Sequence, residues 1–220
     1  MNYKDKSTAY FSNIRHDLIA LIDKNEKGLR VLEIGAAYGE TLFYLKNLGV
    51  ASEAIGIDIF EDTANKANYK PIDRFIFENI ETADFPEYYG SFDLILLPDV
   101  LEHLIDPKKV LHKVYKYLKD DGTIIVSMPN IRHYSALKKI FFNGDFSYEE
   151  SGIFDSTHMR FYCRKNIKQL LENSGFKTLI EEGSIKKYKG KSIAKIINKI
   201  TFGVFEEFFS YQYFFKSKKV

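Results

Sequence analysis

The chain has 220 residues and a formal net charge of +2, with 32 Lys+Arg against 30 Asp+Glu, 45% hydrophobic and 28% charged residues. That composition excludes a disordered chain, the length suits one domain rather than a multidomain machine, and the charge balance argues against a protein that coats nucleic acid. The single cysteine, Cys163, excludes a disulfide framework and a multi-cysteine zinc site; with no leader pattern and no run near the roughly 18 apolar residues of a membrane span, a cytoplasmic location is expected.

In chain order, Phe11, Ile14, Leu18 and Ile22 share one face of a helix expected over 9–22. From residue 29, short apolar runs alternate with segments of helical period, as parallel strands joined by crossover helices do. Strands are expected at Leu29–Ile34, Ala54–Ile59, Arg74–Phe77, Phe92–Leu97 and Thr123–Met128. Helices are expected at Thr41–Leu48, weakly at Glu61–Asn68, and at Asp106–Leu118, where Asp106 is the N-cap, Pro107 opens the first turn and Asp120-Asp121-Gly122 stops it. The rhythm breaks over 130–165, an aromatic and polar stretch too long for a connector and read as a substrate insertion. A helix over Asn166–Ser174, stopped by Gly175, and a strand over Phe176–Ile180 follow. In the basic segment 186–220, Ile193, Ile196, Ile197, Ile200, Val204, Phe205 and Phe208 form an amphipathic stripe weakened by Gly203, and Tyr211, Tyr213 and Phe215 alternate as a last strand.

The segment Val31-Leu32-Glu33-Ile34-Gly35-Ala36-Ala37-Tyr38-Gly39-Glu40 is a buried strand that runs into a small-residue turn and a helix start. Backbone amides and the positive end of a helix dipole are accessible to a ligand there. A dinucleotide fingerprint is not met, because Ala37 and Glu40 stand at its third and sixth positions. Asp58, about twenty residues beyond the loop, places a carboxylate at the sheet edge where ribose hydroxyls can donate to it.

These residues resemble the first motif of class I S-adenosylmethionine-dependent methyltransferases, acid-x-Gly-x-Gly-x-Gly, with Ala37 where the middle glycine of the family stands. The resemblance covers about 9–182 and implies a three-layer α/β sandwich, one domain with a mostly parallel seven-stranded sheet. It implies S-adenosylmethionine as cofactor, S-adenosylhomocysteine as product, and a cofactor site of Tyr10, Arg15, Glu33, Gly35, Ala37, Gly39, Asp58, Ile59, Asn79, Ile80, Leu97 and Asp99. Leu97-Pro98-Asp99-Val100 lacks the Asn/Asp-Pro-Pro-aromatic loop of base-amino methylation, so no nucleic-acid partner is expected. Tyr134 and Lys138 match the Tyr-x-x-x-Lys of short-chain dehydrogenases, but Thr41 stands where that family's last loop glycine belongs.

A hydroxyl acceptor must lose a proton, and His103, after the fourth strand, and His158, in the insertion, are the candidate catalytic bases. Their alternative is a structural role. Met128-Pro129-Asn130 and Asp155-Ser156-Thr157-His158-Met159-Arg160-Phe161 resemble the subgroup associated with bacterial surface-polysaccharide synthesis. That implies a small, anionic acceptor such as a sugar, sugar nucleotide or phosphorylated metabolite, with Arg132, Tyr134 and Arg160 binding it. No histidine pair has the spacing of a helical metal site, so no metal is implied.

Residues 186–220 hold nine lysines against Glu206 and Glu207, a formal +7, which leaves −5 for the other 185 residues. The tail helix is expected to bury its apolar face on the sheet edge or the substrate mouth. The competing reading is peripheral contact with an anionic membrane or glycan-assembly enzymes, in the extreme by a non-catalytic module.

Overall fold

The computed structural model of the protein describes residues 12–186 and 193–220. Tyr10 and three of the tail lysines, Lys187, Lys189 and Lys191, lie outside the described residues. The sheet comprises β1 (Leu29–Ile34), β2 (Ala51–Asp58), β3 (Arg74–Phe77), β4 (Phe92–Pro98), β5 (Leu118–Pro129), β6 (Phe176–Gly183) and β7 (Gln212–Lys219), in the spatial order β3-β2-β1-β4-β5-β7-β6. β1 to β5 pair in parallel, and β7 is antiparallel to both β5 and β6. The expected α/β sandwich with a mostly parallel seven-stranded sheet is therefore what forms.

Parallel strands are buried on both faces, which is why β1, β4 and β5 read as continuous apolar runs. Successive side chains enter opposite layers. Leu32, Ile34, Ile95, Leu97, Ile124 and Val126 fall in one core cluster, whereas Val31, Leu94, Leu96 and Ile125 fall in the other. The first layer is closed by α3 (Pro107–Tyr117), which buries Val110, Leu111, Val114 and Tyr117. The second is closed by α2 (Glu40–Asn47) through Leu42 and Leu45, and by Leu18 of the short α1 (His16–Ile19).

Local chemistry explains where the elements start and where they depart from expectation. Asp106 caps α3 by accepting from the Lys109 N–H at 3.0 Å. The chain then enters β5 directly at Leu118, so Asp120-Asp121-Gly122 lies inside a twelve-residue strand instead of ending the helix. The helix expected over Glu61–Asn68 reduces to a 3₁₀ turn at Lys66–Asn68. There Asp62 Oδ1 accepts from the Asn65 N–H at 3.1 Å, a local bond that competes with helix formation. Of the helix expected over 9–22, residues 12–22 are described, and only His16–Ile19 (α1) is α-helical.

The insertion carries α4 (Tyr134–Leu137), a π turn at Lys138–Phe142 and a small core of Ala136, Ile153 and Phe154. α5 (Arg164–Glu172) follows and begins two residues before its expected start. The tail departs most. α6 (Ile193–Ile200) ends at a turn where Phe202 (φ +52°) and Gly203 (φ +83°) are both left-handed, and α7 (Glu206–Phe209) leads into β7. No side chain of α6 is buried, and Ile193 and Ile200 are 77% and 69% exposed. The expectation that this apolar stripe is core fails, because the tail enters the core through β7 instead.

Tyr213, Phe214 and Phe215 of β7 are buried on both sides of the sheet. Phe215→Ala is expected to destabilise the protein by about 3–5 kcal/mol, measured by urea unfolding; a change below 1 kcal/mol would contradict a central position for β7.

Candidate functional site

The strand order reverses between β1 and β4, and open α/β sheets bind ligands at the carboxyl ends of strands beside that switch. A cleft of about 560 Å³ lies there, lined by the loop after β1, the end of β2, the Glu78–Glu81 turn and the segment from Pro98 to Leu104. Gly35 adopts φ +76°, and a Cβ there would sit 2.8 Å from Val100 Cγ2. Gly39, at φ +80°, starts α2 and packs beneath the Phe75 ring, outside the cleft lining. Ala37 is also left-handed, at φ +48°, a conformation that costs a β-carbon-bearing residue roughly 1 kcal/mol or more. Asp58 offsets that cost by accepting from the Ala37 N–H at 2.8 Å. Its other oxygen accepts from the Phe60 N–H at 2.9 Å. Burial pushes the Asp58 carboxyl pKa up, and these amide donors pull it back. The result is a carboxylate fixed in position at the cleft wall.

Glu33 is 2% exposed, lines the cleft, and its Oε2 has no hydrogen-bond partner among the described residues. Burial pushes its pKa up to about 8, with Arg15 opposing and Asp58 adding to the shift. Asp99 is held by three groups. Arg15 reaches it at 2.7 Å, the Ser127 hydroxyl donates to it at 2.8 Å, and the Gln212 side-chain amide donates to it as well. Burial lowers the Arg15 pKa, but Asp99 and Asp17 outweigh that and keep the guanidinium charged.

Ile59, Asn79 and Ile80 line the cleft as expected, although Asn79 Oδ1 is engaged by the Glu81 N–H at 2.9 Å. Leu97 does not line it, because its side chain is fully buried in the core and the next residue, Pro98, faces the cleft. The three expected substrate residues also lie outside the lining. Arg132 pairs with Glu207 of α7, Tyr134 packs its ring against Phe208 at 5.9 Å, and Arg160 donates to the Ile105 carbonyl at 2.6 Å.

The two histidines are brought together. His103, which lines the cleft, and His158, which does not, stack edge to face at 4.7 Å between ring centres. His103 Nδ1 meets the Thr157 carbonyl at 3.1 Å, and His158 Nδ1 meets the Ile153 carbonyl at 2.9 Å. Burial and the neighbouring His158 lower the His103 pKa. Glu102, which adjoins His103 in the sequence, is 1% exposed beside them. Burial, reinforced by Asp99, raises its pKa well above the carboxyl range. Asp155 orders the insertion by accepting from both the N–H and the hydroxyl of Thr157, at 2.9 and 2.7 Å.

A family described as "Methyltransferase domain" matches residues 8–181. The chain belongs to this methyltransferase family. A curated relative, phosphoethanolamine N-methyltransferase of Plasmodium falciparum, is 34% identical over 116 residues, half of this chain and 42% of that protein. The chain thus spans under half the length of that relative. A S-adenosylmethionine-dependent methyltransferase of Archaeoglobus fulgidus shares the fold at TM-score 0.62 and 22% identity, covering 88% of each chain. A Burkholderia thailandensis N-methyltransferase, solved with S-adenosylhomocysteine, matches at TM-score 0.61 and 13% identity, covering 94% of this chain and 77% of that one. The domain is a class I, S-adenosylmethionine-dependent methyltransferase domain, and its cleft fits that cofactor. Gly35 leaves room for close approach, Asp58 presents acceptors for a ribose, and Glu33 is a buried acid with one carboxylate oxygen unpartnered among the described residues.

That last feature predicts a pH dependence. With its pKa pushed up to about 8, Glu33 is expected to be protonated at pH 7 in the free protein, and a cationic group of the cofactor bound beside it would favour its ionised form. Binding therefore releases a proton, and affinity rises with pH up to about 8 and flattens above it. Calorimetry in two buffers of different ionisation enthalpy should detect the release in the wild type and not in Glu33→Gln.

Proposed function

We propose that the protein transfers the methyl group of S-adenosylmethionine to an oxygen of a small acceptor. The acceptor class we infer is a sugar, sugar nucleotide or phosphorylated metabolite of surface-glycan synthesis. The observation that carries the reading is His103 at the cleft wall, with its Nδ1 side occupied by a backbone carbonyl and Nε2 left for the acceptor end. Methyl transfer is an in-line displacement, so the protein must hold the acceptor oxygen near the sulfonium methyl, exclude water and draw off the hydroxyl proton. The His103, His158 and Glu102 cluster is where that proton is drawn off. The sugar-type acceptor is supported by the Asp155 to Phe161 motif, and a relative named for phosphoethanolamine supports a small phosphorylated one. Arg132 and Arg160 give no support, being paired elsewhere.

Calorimetry with S-adenosylhomocysteine tests the cofactor, and mass spectrometry of reactions with sugar nucleotides and phosphorylated metabolites tests the acceptor through a gain of one methylene. His103→Ala is expected to lower turnover about 100-fold or more, the scale of general acid–base assistance, with S-adenosylhomocysteine affinity within about twofold of wild type. Unchanged turnover would overturn the role of His103.

A second reading concerns α6, and we infer that it rests on an anionic membrane surface. Ile193, Ile196, Ile197 and Ile200 share one exposed face, while Lys195 and Lys199 stand on the other, the pattern of an interfacial helix. No helix among the described residues is long and apolar enough to cross a membrane. Truncation after residue 186 is unsuitable as a test because it removes β7. Ile196→Glu/Ile200→Glu is expected to abolish pelleting with phosphatidylglycerol vesicles while leaving thermal stability unchanged. Equal pelleting of wild type and variant excludes this contact.

A further inference from the structure

Glu102 presents an unusual electrostatic situation. Its side chain is 1% exposed, and neither carboxylate oxygen has a hydrogen-bond partner among the described residues. A buried polar group in that state costs on the order of 1–3 kcal/mol, more when charged. Beside it stand two imidazoles whose Nδ1 atoms both face backbone carbonyls. A carbonyl only accepts, so each Nδ1 carries the proton, and in a neutral ring each Nε2 then carries a lone pair. The cluster therefore gathers acceptors, with no donor among them to satisfy Glu102. One ligand atom from each of Glu102, His103 and His158 lies within 4.8 Å of the others.

We propose that Glu102, His103 and His158 bind one divalent transition-metal ion of the zinc class at the acceptor end of the cleft. Two neutral imidazoles and a carboxylate are a donor set suited to such ions, and three protein ligands leave a further position open. Metal-bound histidines commonly donate their second ring N–H to a backbone carbonyl, which fixes the tautomer, and both histidines here do so. The Thr157 carbonyl is in turn placed by the Asp155–Thr157 bonds. The Glu102 carbonyl accepts from the N–H groups of Met159 and Arg160 at 2.9 and 3.1 Å, which locks the His158 segment against the Glu102 turn. The sequence gives no spacing signal for this site, because two ligands adjoin after β4 and the third lies 55 positions later in the insertion.

The role of the ion in catalysis rests on the methyltransfer reading above; its binding does not. His103 lines the cleft, so the open position faces the acceptor. A hydroxyl oxygen held there loses its proton to solvent at lower pH, because the cation stabilises the alkoxide. The oxygen then forms a bond to the methyl carbon, and the carbon–sulfur bond breaks with its electron pair passing to sulfur. The products are the methyl ether and S-adenosylhomocysteine. The ion takes the place of direct proton acceptance by His103.

The test is a titration of the full chain, stripped with a chelator, with Zn²⁺ against a fluorescent zinc indicator, followed by Co²⁺ and visible absorption. The expected result is one ion per chain and a Co²⁺ ligand-field band. Both should weaken at least 100-fold in Glu102→Gln and in His158→Gln. S-adenosylhomocysteine calorimetry on the same samples verifies that the cleft is folded and tests the cofactor separately. Zinc binding without S-adenosylhomocysteine binding keeps the metal site and overturns the methyl-donor reading. Failure of the wild type to bind Zn²⁺ stoichiometrically, or equal binding by a folded Glu102→Gln or His158→Gln, overturns the proposal. Should Glu102→Gln not fold, His158→Gln and the wild type decide.

Discussion

The end of β4 is fixed by one half-buried ion pair, Arg15 with Asp99, and the geometry of the cleft follows from it. Asp99 sits at φ +53°, a left-handed conformation that costs a non-glycine residue of order 1–3 kcal/mol unless its surroundings hold it there. Arg15, Ser127 and Gln212 all bond its carboxylate, and hydrogen bonds to a charged group contribute roughly 1.5–3 kcal/mol each. Three segments remote in sequence thus converge on one side chain: the approach to α1, the end of β5 and the start of β7. A half-buried pair with these supporting bonds incurs less of the desolvation penalty that makes isolated buried pairs unfavourable. Because Asp99 cannot relax, the following 3₁₀ turn at Leu101–His103 is aimed, and it carries Glu102 and His103 to their places.

The insertion is organised by that same turn. The Glu102 carbonyl receives two N–H donors from residues 159 and 160, and the Thr157 carbonyl reaches back to His103. The insertion therefore joins the body at this turn mainly through its backbone groups, with the Arg160 guanidinium adding a bond to the Ile105 carbonyl. Arg132 meets a glutamate 75 positions away on α7, a partner no local pattern reveals.

Legibility in the sequence followed the range of the interactions involved. The glycine loop, Asp58 and the strand sequence depend on local backbone demands and on burial of both sheet faces, and these were readable. Leu97 was misplaced as a cofactor contact for a local reason as well: side chains alternate along β4, so a shift of one position separates the core-facing Leu97 from the cleft-facing Pro98. The pairing of His103 with His158 is not readable, because it needs the fold of the 54 intervening residues. Periodicity identified α6 as amphipathic but could not say what covers it, since an apolar stripe looks the same facing a core or facing outwards.

The charge asymmetry between body and tail takes a different meaning once β7 is placed. Three of the tail lysines ride on a strand set between β5 and β6, and they pair with acids of the body: Lys216 with Glu26, Lys218 with Asp121 and Lys219 with Asp120. Lys186 pairs within the tail, with Glu206. Three of the formal +7 charges are thus met by the acidic body they appeared to oppose, and the end of β7 contributes little to a surface field. Near α6, Lys195 and Lys199 accompany the exposed isoleucines. The topology that buries Tyr213 and Phe215 thereby sets three of the tail lysines against the acids of the body.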